Sequence, residues 1–265
     1  MNFYKKLILG AMAAIAFSAP VHANVNVGGV VWDPNYVAGP DKDFISQFNF
    51  TQWFTNTATL PNNLNYGAAV GINTVLASLG GSGATGYFLQ GAGLVYRVDD
   101  ASNNIAAGFG GPNTFCPGCQ LTYAFGGIGL NKDSTFNLSQ AWVRIYVDTT
   151  TAATTPVTSQ AVANTYDDGL VWLDLSIASL SFRSGSTVQG GFVDANFNII
   201  GGLAAGSFDP KSLTYAASAQ FQGSTDKYST GGNGSILGKT IPEPGTLALL
   251  ALGLIAAATL RRRNI

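Results

Sequence analysis

The chain has 265 residues, of which 46% are apolar, 10% are charged and 33 are glycine, and its 13 Lys and Arg nearly balance its 14 Asp and Glu. No basic field exists to hold phosphate backbones, which excludes a nucleic-acid partner. The apolar share is too high for a disordered chain and suits one sizeable domain.

Residues 1–23 read as a signal peptide. Lys5 and Lys6 precede an apolar run over 7–19, and Val21-His22-Ala23 forms a small-residue cleavage pattern. Its removal takes away His22, the single histidine of the chain. The exported body then has no imidazole, so Ser-His-Asp, Cys-His and His-metal chemistries are excluded. No catalytic residue, metal site or cofactor is assigned. Between residues 24 and 242 lie 13 Asp, no Glu and 8 Lys and Arg, a modestly acidic surface. A body without Glu or His is a poor setting for acid-base catalysis, and the expectation is a protein that is not an enzyme.

Residues 24–223 are expected to form one β domain. Short β-type runs at 25–32, 86–98, 120–125, 187–193 and 213–222 are separated by Gly, Asn, Asp and Pro, and no helical period is sustained. Phe44, Phe48, Phe50 and Phe54 share one parity, interrupted by Ser46 and Gln52. Eight to ten such strands fit an antiparallel sandwich or barrel, and the reading taken is an all-β antiparallel β-sandwich, with a jelly roll as one version.

Cys116-Pro117-Gly118-Cys119 follows. Paired thiols at this spacing exchange electrons when the first opens a helix, yet residues 120–125 read as a strand. After export a local disulfide pinning a turn is the favoured reading, with metal or redox work as the alternative.

Ala141, Val143, Ile145 and Val147 alternate with Trp142, Arg144, Tyr146 and Asp148, and Val171, Leu173, Leu175 and Ile177 alternate with Trp172, Asp174 and Ser176. With Val143 and Leu173 turned to the core, Trp142, Arg144, Tyr146, Trp172 and Asp174 form an outward face of aromatic planes beside charges. Such a face stacks sugar rings, or packs its aromatics across strands and under loops. Residues 149–159, rich in Thr around Pro156, read as a flexible loop. Asp194-Ala195-Asn196-Phe197-Asn198 starts like a calcium loop but has Ile199 where Gly is needed, and a hairpin explains it better.

Residues 224–240 are polar and Gly-rich, as a flexible linker would be. Residues 241–265 then read as a membrane segment. Pro242-Glu243-Pro244 breaks regular structure, 245–260 is an apolar helix just long enough to span a bilayer, and Arg261-Arg262-Arg263 is a cytoplasmic basic tail.

This ending resembles the PEP-CTERM sorting signal of Gram-negative bacteria that make exopolysaccharide. The resemblance implies a membrane stage through 245–260 and handling by the export machinery and an exosortase, which cuts near Pro242-Glu243-Pro244. Release to the cell surface or extracellular matrix follows. Phe125-Gly126-Gly127, the run 141–148 and the run 201–209 resemble flocculation-associated PEP-CTERM proteins. The implied role is a non-catalytic structural or adhesive one in exopolysaccharide-associated aggregation. A secreted polysaccharide-binding module, with exopolysaccharide as partner, is the alternative, and a periplasmic thiol oxidoreductase through the cysteine pair is the third reading.

Overall fold

The computed structural model describes residues 24–103 and 108–241. The signal peptide 1–23 and, within the sorting segment, Pro242, Glu243, Pro244, the helix 245–260 and Arg261 to Arg263 lie outside the described residues. Among the described residues no helix is long and apolar enough to cross a membrane.

In chain order the elements are β1 (Val25–Val27), β2 (Val30–Trp32), β3 (Phe44–Thr55), α1 (Ile72–Leu76), β4 (Ala84–Val98), β5 (Ala101–Ser102), β6 (Gln120–Asn131), β7 (Phe136–Asn137), β8 (Trp142–Asp148), α2 (Gln160–Ala163), β9 (Leu170–Phe182), β10 (Gly190–Gly201), β11 (Leu213–Gln220) and β12 (Gly232–Gly238). Strands β3, β4, β6, β8, β9, β10, β11 and β12 each pair with the next, antiparallel throughout. The last then returns to the first, with Gly232 opposite Phe50 and Gly238 opposite Phe44. The result is a closed eight-stranded up-and-down barrel, and the expected β-sandwich is incorrect. A sandwich and a barrel use the same alternating strands; they differ in whether the sheet meets itself.

The strand that closes the sheet is the stretch 232–238, inside the segment expected to be a linker. Its inward positions are Gly232, Gly234 and Ile236, and the glycines are needed there. A Cβ on Gly232 would meet Phe50 Cζ at 2.3 Å, and one on Gly93 of β4 would meet Asn49 O at 2.2 Å and Tyr123 Cε1 at 2.5 Å. The rings of Phe50 and Tyr123 therefore lie against bare backbone, which lets large side chains fill a small barrel.

The Phe44, Phe48, Phe50 and Phe54 parity holds, with all four buried in the lumen. Residues 194–198 do not form a hairpin but run straight through β10, Ala195 and Phe197 inward and Asp194, Asn196 and Asn198 outward. With Ser176, Ser179 and Ser181 on β9, this side of the barrel is mainly polar outside, Phe192 and Ile200 being the exposed apolar exceptions on β10, and apolar inside, the reverse of a barrel whose outer band faces lipid.

The two ends differ. At one, the β1–β2 hairpin packs Trp32 against Phe44, Trp172 and Phe208, with ring centroids 5.5 to 6.1 Å from Trp32. This end is plugged. At the other, α1 and Phe221 cover the β3 side, Phe221 stacking on Phe54 at 6.0 Å, while the β9–β10 turn overhangs an opening.

Two expected outcomes follow from the closure. Gly93→Ala should lower stability by about 2–3 kcal/mol through overpacking, a fall in Tm of about 5–10 °C, whereas Gly111→Ala, with open space around it, leaves Tm unchanged. A chain ended at Gln222 should lose the cooperative thermal transition, while one ended at Ile241 keeps it; circular dichroism melts check both.

Candidate functional site

Four of the five residues of the expected aromatic face come together. On β8 and β9, Arg144 Nη2 donates to Asp174 Oδ2 at 2.9 Å, and Asn62 Oδ1 accepts from Tyr146 Oη at 2.8 Å and Arg144 Nη1 at 3.3 Å. Trp142 Nε1 donates to Thr59 O at 2.7 Å.

The fifth residue does not join them. The pairing runs Ile145 to Leu173 and then Tyr146 to Val171, so Trp172 sits in a bulge. The bulge reverses the parity: Trp172 swings into the plugged end and donates to Val27 O at 3.0 Å, while Val171 turns outward.

The face is not open either. Trp142, Tyr146 and Trp172 are 6%, 0% and 1% exposed. Two straps cover it, residues 56–71 from one end and 149–169 from the other. They meet at Gln160, whose Oε1 accepts from Tyr66 N at 2.8 Å and whose Nε2 donates to Leu64 O at 2.8 Å. The stretch 149–159 is therefore no free loop; Ala153 and Val157 are buried and Val157 N donates to Thr51 Oγ1 at 3.2 Å. Trp53, Trp142, Tyr146 and Tyr166 form a second core layer outside the barrel wall.

Cys116 and Cys119 are joined by a disulfide, buried at 0% and 1%, at the plugged end. Cys119 leads straight into β6, with no helix to lower a thiol pKa. Gly110 N donates to Cys119 O at 2.9 Å, so the bridge holds the loop that closes this end. Among the described residues no group of three His, Cys, Asp or Glu is placed to hold a metal ion.

Two carboxyls missed by sequence reasoning are buried. Asp99, 2% exposed, accepts from Ile45 N and Asp33 N, both at 3.1 Å, and burial pushes it up to about 6. Asp167, 6% exposed beneath the straps, is likewise raised by burial to about 6, with the Leu64 amide opposing and Asp168 reinforcing the shift. The local signal in each case is an Asp-Asp pair in a turn, which sequence reading assigns to solvent.

The chain leaves the barrel at the plugged end. Thr240 N donates to Asp43 Oδ1 at 2.6 Å, and Ile241 N to Ser207 O at 2.9 Å. The expected linker 224–240 is thus largely structure, and the fold extends to the residue before Pro242. A family model of the PEP-CTERM protein-sorting motif matches residues 240–263, beginning at this anchored Thr240. No curated protein and no solved structure matches the chain. The chain thus carries a PEP-CTERM sorting signal, which implies export, a transient membrane anchor and cleavage to the cell surface or extracellular space.

The buried carboxyls set a pH dependence. Their folded pKa of about 6 exceeds the 3.8 of a free Asp, so the folded state binds more protons between these values and stability falls as pH rises through that window. Each group contributes roughly 1–3 kcal/mol by pH 7. Tm should be higher at pH 5 than at pH 7, and Asp167→Asn should shrink that difference; melts across the range test this.

Proposed function

We propose that the protein is a non-catalytic surface or matrix component: an exported β-barrel, handled by an exosortase at Pro242-Glu243-Pro244 and released to act in exopolysaccharide-associated aggregation. The observation that carries the reading is the junction at Thr240 and Ile241, where the matched sorting motif starts on the last anchored residues of the barrel. A cut beyond Ile241 takes nothing from the fold. Processing then releases a complete domain whose stability needs no membrane.

A structural role draws support from the body itself, which offers no histidine or glutamate between residues 24 and 242 and keeps its cysteines bridged and covered. Of its two ion pairs among the described residues, Arg144 with Asp174 spans β8 and β9 beneath a strap, and Arg183 with Asp194 is half-exposed on the rim. Both fit a scaffold better than a reacting centre. The Trp142 and Trp172 rings give no support to a sugar-stacking module, because the chain's own straps and hairpin occupy their faces.

Deleting residues 242–265 should leave the thermal transition of the barrel unchanged and shift the protein from the surface and medium to the periplasmic fraction. Cell fractionation with mass spectrometry of the mature C-terminus reads both. A deletion variant that reaches the surface in the normal amount overturns the sorting step. Unaltered cell aggregation in a strain lacking the protein overturns the matrix role.

A further inference from the structure

The open end of the barrel leads into an apolar cavity between β3, β6 and the β9–β10–β11 wall. The cavity opens to solvent at its mouth, and the room in it for the centre of a water-sized sphere is about 70 Å³. The space is narrow, as the lumen of an eight-stranded barrel must be. No Lys, Arg, Asp or Glu lines it.

Three observations set it apart from a packing defect. First, inward residues of β9, β10 and β11, among them Ile177, Leu180, Val193 and Ala219, are partly exposed to it, whereas their counterparts on β3 and β6 are buried. Second, small side chains line one wall, Ala195, Ala217 and Ala219, with Gly190 and Gly191 nearer the mouth, where larger ones would fill the space. Third, Tyr123 and Tyr215 face each other at the inner part of the cavity. The Tyr123 hydroxyl is buried beside the Tyr215 phenol and meets no partner at good hydrogen-bond geometry, a costly arrangement in an apolar lumen. Burial raises both above the ordinary tyrosine range; the Tyr215 phenol adds to the rise at Tyr123, whereas the Tyr123 phenol opposes it at Tyr215, and both stay neutral.

From this geometry we infer that the lumen is a binding site for a neutral long-chain lipid, its hydrocarbon lying along the cavity and one oxygen accepting a hydrogen bond from Tyr123. A straight hydrocarbon chain is narrow enough for the slot. The oxygen satisfies the orphaned hydroxyl. The head is neutral because a carboxylate or ammonium carried into this lumen would find no counter-charge. A fatty alcohol or ester fits; a fatty acid anion does not. The inference does not rest on the sorting reading, since it needs only the barrel.

The test uses the purified mature barrel, N-phenyl-1-naphthylamine as a fluorescent occupant, and 1-dodecanol, dodecane and dodecanoate as competitors. Dodecanol should displace the dye with a Kd in the micromolar range, at least about 10-fold tighter than dodecanoate at pH 8. Ala219→Trp, which fills the mouth from a partly exposed position, should abolish dye and dodecanol binding. Tyr123→Phe keeps the ring and removes the hydroxyl. It should leave Tm equal or higher and weaken dodecanol about 10-fold while leaving dodecane unchanged, a split that simple loss of packing does not produce. No displacement by millimolar dodecanol, or dodecanoate binding as tightly, overturns the inference. Should Ala219→Trp fail to fold, Tyr123→Phe decides: equal weakening of dodecanol and dodecane, or no change in either, also overturns it.

Discussion

The structure depends on aromatic rings lying against glycine backbone inside a closed sheet. Phe50 covers Gly232, Tyr123 covers Gly93, and Phe125 approaches Gly91 so closely that a Cβ there would sit 2.6 Å from its Cζ. Each contact joins two strands of the barrel, and the Phe50 contact joins β3 to β12, which is the closure itself. Small residues on one strand and large ones on its neighbour let a narrow lumen reach interior packing density without strain. Where that complementarity ends, along Ala195, Ala217 and Ala219, the lumen stays unfilled. The packing of the wall and the existence of the cavity are therefore one property seen on opposite sides of the barrel.

The same asymmetry appears outside. Strands β3, β4, β6 and β8 carry outward apolar side chains, Trp53, Leu94, Ala124 and Tyr146, which exposure to water would penalise, and the straps bury them. Strands β9, β10 and β11 carry mainly Ser, Asn, Asp and Thr outward, with Leu170, Phe192 and Ile200 exposed among them, and have no cover. The covered half is a wall of two layers held by Gln160, Gln90 and Gln120, whose amides reach backbone groups of the neighbouring segments. The uncovered half is a single layer, and it forms the loosely filled side of the cavity.

Much of this was legible in local pattern. The alternation of Phe44, Phe48, Phe50 and Phe54 placed one face of β3 correctly, and residues 141–148 gave β8 with its inward Val143 and Ile145. The sorting motif was readable because its three parts, a Pro-Glu-Pro break, an apolar run and terminal arginines, are contiguous and need no tertiary context. What failed did so for physical reasons. Glycines at 232 and 234 hide a strand, because their purpose is to receive rings from β3, 180 or more positions earlier in the numbering. The bulge at Trp172 has no local mark, yet it sends one tryptophan inward while Trp142 stays outside. Burial of Trp142 and Tyr146 depends on straps whose Thr-rich and Asn-rich sequences look like solvent-facing loops.

Because β12 follows every other barrel strand in the chain, a molecule caught before residues 232–238 have emerged on the far side of the membrane has two naked sheet edges, on β3 and β11. Such edges invite pairing with any extended chain nearby. The stretch that seals them directly precedes the sorting segment, so a polypeptide halted in the bilayer by that segment has already delivered its seal. Both Asn24 and Ile241 leave from the plugged end, so a tethered barrel would present that end to the lipid and its mouth to the outside.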